Sequence, residues 1–152
     1  MAIEQPLNIH RTRGRPYMSR VVEFSIAQGD ITLFESDVVA FKYAGDFYGV
    51  AKVLVESFQG HSIPTDGLIP DDRGYSLVDT HGCMKSPKAL IVRTRDISVF
   101  DNNDIEKFSM DTLRILEMIS PNTKHLALTI HGRYLFPEED EIKVVRKQLD
   151  GI

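Results

Sequence analysis

The stretch Ala27-Gln28-Gly29-Asp30-Ile31-Thr32, followed closely by Val38-Val39-Ala40-Phe41, decides how this chain folds. Gly29-Asp30 is turn chemistry, since glycine accepts backbone angles closed to other residues and aspartate bonds to the main chain just ahead of it. Four consecutive apolar residues after a short spacer read as a strand covered on both faces, because a half-exposed strand would alternate. Such a strand needs helices above and below it.

Outward from this strand, placed at 37–43, the pattern recurs. Val21–Ile26, with Val21, Val22, Phe24 and Ile26 apolar, reads as a preceding strand. Downstream, Gly45-Asp46 breaks the buried run. Gly49–Phe58 then carries Val50, Val53, Leu54, Ser57 and Phe58 at helical spacing, with Gly60 as its stop. Residues 61–74 turn to Pro, Asp and Gly, a long loop of the kind that is often functional. Tyr75–Val78 and Ala89–Thr94 read as strands. Asp104–Ile119 is the clearest helix: Ile105, Phe108, Thr112, Leu113, Ile115, Leu116 and Ile119 form its apolar face, and Pro121 follows its end. His125–Ile130 is expected as a strand and Pro137–Leu149 as a last helix, turning Ile142, Val145 and Leu149 inward. Strands alternating with long helical segments predict a three-layer α/β fold around a mostly parallel or mixed central sheet.

The chain of 152 residues, 42% apolar and 26% charged, has the size and composition of one globular domain. Cys83 is the single cysteine, so no internal disulfide forms, which suits a reducing, cytoplasmic setting. No apolar run approaches the roughly 20 residues of a membrane span, and the N-terminus lacks the apolar core of a secretory signal. Within residues 1–20, Arg11, Arg13, Arg15 and Arg20 stand against Glu4 alone, a balance of +3, so the rest carries −7 of a total of −4. These residues read as a basic arm ahead of a single domain over 21–152. The arm meets an acidic partner or is simply a solvated terminus containing Pro6, Gly14 and Pro16. No basic, aromatic-studded surface follows it, which disfavours nucleic acid as a partner.

In their order, these segments resemble a known family. Residues 24–60 resemble the start of a macro domain: a GDIT turn (Gly29-Asp30-Ile31-Thr32), a buried strand, a loop ending in Gly49-Val50-Ala51, and a helix closed by Gln59-Gly60. Lys88–Thr94 is similar to that family's next central strand. Leu126–Pro137, LALTIHGRYLFP, is similar to its later strand, second phosphate loop and the helix start beyond. The layout equally resembles the macro-like N-terminal domain of leucine aminopeptidases, which shares the fold without binding ADP-ribose. The resemblance implies a cleft in which Asp30 and Ile31 hold an adenine, Gly49 and Val50 approach a phosphate, and His131, Gly132, Arg133 and Tyr134 form the second phosphate loop. Asp30 is otherwise explained as the cap of a tight turn.

Departures from the family pattern fall on the ribose and phosphate ends. The family's second strand ends in two asparagines that contact the distal ribose and orient an attacking water. Ungapped counting from GDIT puts Phe41 and Ala44 at those places, and neither side chain donates or accepts a hydrogen bond. The loop Asp46-Phe47-Tyr48-Gly49-Val50 has two rings where glycines would let backbone N–H groups approach phosphate. Glu138, Glu139, Asp140 and Glu141 stand behind the second loop and repel a diphosphate, although His131 and Arg133 could pair with one. Family members usually add a further strand and helix where this chain reaches Ile152. Either the sheet is one strand short, or the chain is one module of a longer polypeptide, as similar modules accompany protease or signalling domains in bacterial defence proteins.

Other chemistry is weaker. His81-Gly82-Cys83 would share a strand face, but a thiolate nucleophile needs a third, positioning partner, and a small buried cysteine beside a turn explains the same residues. His61, His81, Cys83, His125 and His131 show no spacing typical of zinc, so no metal is expected. Asp71-Asp72 and Glu138–Glu141 read as solvated surface. Phe34, Phe41, Phe47 and Tyr48 gather at the expected cleft, where filling the pocket is favoured over stacking a base. Together these features imply a non-catalytic recognition or scaffolding domain without a cofactor, binding a protein partner or a nucleotide-type ligand such as ADP-ribose. The alternative is a divergent ADP-ribosyl hydrolase that uses Asp46, His131 or residues of the 61–74 loop.

Overall fold

The computed structural model describes residues 29–129 and 141–152, together with Glu23, Ser25 and Ala27. The chain divides after Asp30, and the architecture below is that of Ile31–Ile152. Its elements are β1 (Val38–Tyr43), α1 (Val50–Gly60), β2 (Tyr75–Asp79), β3 (Lys88–Arg93), α2 (Asn102–Ile119), β4 (Leu126–Leu128) and α3 (Glu141–Asp150), with short 3-10 turns at Ile31–Leu33, Asp66–Leu68 and Ile97–Val99.

Among the described residues the strands form one sheet in the order β2-β3-β1-β4. β1 runs parallel to β3, with Val38 beside Lys88 and Tyr43 beside Arg93, and parallel to β4, with Val38 beside Leu126. β2 lies antiparallel on the outer side of β3. The sheet is therefore mixed, and the fold is α/β as the sequence predicts.

Central β1 is buried along nearly its whole length, and its two faces feed two cores. Val39 and Phe41 pack with Ala51, Leu54 and Phe58 of α1, with Leu68 and with Ile91 of β3. Val38 and Ala40 pack with Leu90 and Val92 of β3, Tyr75 of β2, and Phe108 and Leu116 of α2. Helices thus cover opposite faces, giving three layers. α3 packs against α2, with Lys147 Nζ 3.8 Å from a Glu106 carboxylate oxygen.

Local chemistry fixes the ends of these elements. Asp101 caps α2 by accepting from the N–H groups of Asn103 and Asp104, while the Asp104 carboxylate accepts from the Asp101 N–H. This reciprocal box starts the helix two residues earlier than apolar periodicity alone predicts. Asp37, just ahead of β1, accepts from the backbone N–H groups of Lys124 (2.7 Å) and His125 (2.9 Å), fastening the start of β4 to that of β1.

Several expectations change. The buried face of α1 is Ala51, Leu54 and Phe58, rotated so that Val50 is exposed. The strand expected at His125–Ile130 is Leu126–Leu128 within the described residues. The 61–74 loop contains the Asp66–Leu68 turn, anchored by buried Leu68 and by the Ser76 hydroxyl donating to the Gly67 carbonyl. The strand expected at Val21–Ile26 falls, apart from Glu23 and Ser25, outside the described residues; those two lie in no strand. The first residues of the helix expected from Pro137 also lie outside them, and its described part is α3.

Candidate functional site

In a parallel sheet, ligands favour the carboxyl ends of neighbouring strands whose helices leave to opposite faces. β1 and β3 meet that condition here, since α1 and α2 cover opposite faces. The loops beyond them, however, are bonded to each other. Thr94 donates its N–H to the Tyr43 carbonyl at 2.8 Å, and Ile97 donates its N–H to the Ala44 carbonyl at 3.3 Å. Gly45 has φ +84°, and a Cβ there would lie 2.8 Å from an Asp96 carboxylate oxygen. The turn after β1 therefore needs glycine both for its left-handed backbone and for room beside the β3–α2 loop.

Phe41 and Ala44 lie at 0% and 1% exposure. Phe41 belongs to the α1-side core instead of lining an opening. Phe47 sets its ring edge against Tyr43, centroids 5.1 Å apart. Tyr48 is exposed and Phe34 half-buried. The four aromatics expected at one entrance are thus distributed between core and surface.

Gly49 is the N-cap of α1, with φ 54° and no side-chain cap, and the exposed Val50 is the first helical residue. Ile31 is half-buried against the α1-side core, and Asp30 is exposed. His131, Gly132, Arg133 and Tyr134 lie outside the described residues, as does any cleft they would form.

Lys42 is the residue sequence reasoning overlooked. It follows Phe41 in β1 with only 8% exposure, and its Nζ sits 4.5 Å from the centroid of the Phe100 ring. Burial pushes its ammonium from the usual 10.5 down to about 8. A lysine set in the otherwise apolar VVAFKY strand was the available signal. Nearby in sequence, the Arg95 guanidinium reaches Asp101 at 3.2 Å and the buried Asp104 at 3.4 Å.

His81 and Cys83 are not on a strand. His81 (φ 51°) and Gly82 (φ 80°) turn the chain between β2 and β3, and the Cys83 N–H donates to Thr80. Burial pushes the Cys83 thiol up, opposite to what a thiolate nucleophile needs. His81 instead lies 3.7 Å from the Asp79 carboxylate. Asp71 is held by Arg73 in an exposed two-point contact. Among the described residues no three His, Cys, Asp or Glu side chains converge as metal ligands would, and no helix is long and apolar enough to cross a membrane.

Comparison with protein-family models gives no match, and comparison with curated protein sequences gives none either.

Proposed function

We propose that this chain is a macro-like recognition or scaffolding module without catalytic activity, binding a protein partner or a nucleotide-type ligand such as ADP-ribose. The observation that carries the reading is the burial of Phe41 and Ala44. They stand where the resemblance requires two water-orienting asparagines, and an apolar side chain sealed in a core can neither hold a ribose hydroxyl nor activate water. The layered α/β fold and the GDIT turn support the family-like reading.

Titration calorimetry with ADP-ribose, on the whole chain and on Asp30→Ala, tests this reading. Binding that Asp30→Ala abolishes assigns the module a nucleotide ligand; no heat, together with a self-associating or partner-bound chain in sizing experiments, assigns it to scaffolding. Release of ADP-ribose from a modified protein by the purified chain would overturn it in favour of a divergent hydrolase.

A further inference from the structure

Side chains alternate along a strand, so Lys42 shares the α2-side face of β1 with Val38 and Ala40. Its surroundings there are apolar or aromatic. Val92 lies beside it on β3, Tyr75 lies beside Val92 on β2, and the Phe100 ring lies beneath its Nζ. The carboxylates at the start of α2 are already engaged: Arg95 reaches both Asp101 and Asp104, and the two acids also cap the helix. Among the described residues, no oxygen accepts from the Lys42 ammonium. Lysine is almost never buried to 8% exposure without a partner, and a buried cation without one works against folding. Its place in the fold is equally specific. Lys42 is the last residue but one of β1, at the carboxyl end of the parallel β1–β3 pair. Helices leave this pair to opposite faces, and α/β sheets receive ligands at such points. The positive end of the α2 dipole begins just past Phe100 and also favours an anion.

We infer that the Lys42 ammonium anchors a phosphoryl group, brought by a ligand to the carboxyl end of β1. An ammonium is a compact point charge that meets a tetrahedral phosphate oxygen at any rotation, whereas planar carboxylates suit the fork of an arginine. The Arg95 guanidinium, which could form such a fork, is committed to Asp101 and Asp104. A phosphate oxygen supplies both the counter-charge and the acceptor that the described fold withholds from Lys42. In this little-solvated setting the pair is weakly screened. Since the Phe100 ring covers one side of Nζ, the oxygen takes a side the ring leaves free. The depressed pKa of Lys42, about 8, agrees with an ammonium that lacks such a partner. This anchor needs neither Asp30 nor the residues beyond Thr129, and so stands apart from the macro-like reading.

Urea unfolding of the full chain in inorganic phosphate, against sodium chloride at matched ionic strength, tests the anchor in wild type and in Lys42→Met. A dissociation constant of about 1 mM is expected for a single buried charge contact. At ten times that concentration, phosphate should raise the folded-to-unfolded ratio of wild type about tenfold beyond chloride. Lys42→Met removes the charge at nearly the same length and should show no such gain, with circular dichroism checking that it keeps the fold. Magnetic resonance of the Lys42 side chain gives a second readout. Bound phosphate should lift the amine's pKa toward the ordinary lysine range, because the charged form gains a partner. A nucleoside monophosphate that binds more tightly than inorganic phosphate names a nucleotide as the source of the group; equal or weaker binding names free phosphate. Equal stabilisation of wild type and Lys42→Met overturns the anchor, as does an amine whose pKa phosphate leaves unmoved. Neither result bears on whether Asp30 holds ADP-ribose, which calorimetry decides separately.

Discussion

A lysine in the middle of a buried strand works against stability unless its charge is compensated. Lys42 has the Phe100 ring beneath its Nζ, and among the described residues no carboxylate lies within ion-pair distance. Its pKa falls from 10.5 to about 8. Between those values the unfolded chain binds more protons than the folded one, so stability rises with pH across that window. Below pH 8 both states carry the charge and the full cost remains. The shift corresponds to about 3 kcal/mol, of which the cation–π contact returns about 1 kcal/mol. Lys42→Met is therefore expected to add about 2 kcal/mol at pH 7. Urea unfolding of both proteins from pH 7 to 10.5 should show the alkaline rise in wild type only. A variant no more stable than wild type would mean that the amine is already compensated. Phe41 presents the converse case. Replacing it by asparagine, the residue that hydrolysis would need under the proposed macro-like reading, removes a ring at 0% exposure and leaves a buried amide. A loss of about 4 kcal/mol is expected, without gain of ADP-ribose release. A midpoint close to wild type would place Phe41 outside the core.

At the scale of elements, the chemistry that ends a helix can be tested apart from the chemistry that packs it. Asp101→Ala removes the acceptor for two N–H groups at the start of α2 and is expected to cost about 1 kcal/mol, read as a lower denaturation midpoint; an unchanged midpoint would deny the box its role. The same helix shows what was legible. Ile105, Phe108, Thr112 and Leu116 are buried as their spacing implies, because a 3.6-residue period survives any packing partner. The first turn escaped the pattern because a capping box is polar and adds no periodicity. In α1 the period holds and the face differs at its first turn. Leu54 and Phe58 are buried as their spacing implies, while Val50 at the helix mouth is exposed and Ala51 is buried in its place. Strand order was illegible for a different reason: pairing β3 with β1 across α1 and β2 is a long-range choice that no local run encodes. Lys42 and the bonded loops after β1 and β3 escaped for the same reason, since their character depends on what folds over them.

Across the whole of Ile31–Ile152, stability should be unequal between centre and edge. β1 and β3 are buried on both faces and paired over six residues. β4 is joined to β1 over three residues, all half-buried. Beyond that ladder, and among the described residues, β4 is held by Leu126 and Leu128 against the α2-side core and Ala127 against the α1-side core, by the Asp37 carboxylate at its start, and by the Gln148 side chain of α3, which donates Nε2 to the Thr129 carbonyl at 3.0 Å. α3 in turn lies tight on α2 at Gly151, where a Cβ would come within 2.1 Å of the Glu106 carbonyl oxygen. No flexible side-chain end is there to yield, so Gly151→Ala must lift the end of α3 off α2. That displacement loosens Gln148 and with it one support at the end of β4. Native-state hydrogen exchange should therefore show β4 and α3 opening together, below the free energy of the β1–β3 centre. In Gly151→Ala the amides of β4 and α3 should lose protection while those of Val39, Phe41, Ala89 and Ile91 keep theirs. Equal loss throughout would mean that this part of the chain opens as one cooperative block, with α3 integral to the sheet's own stability.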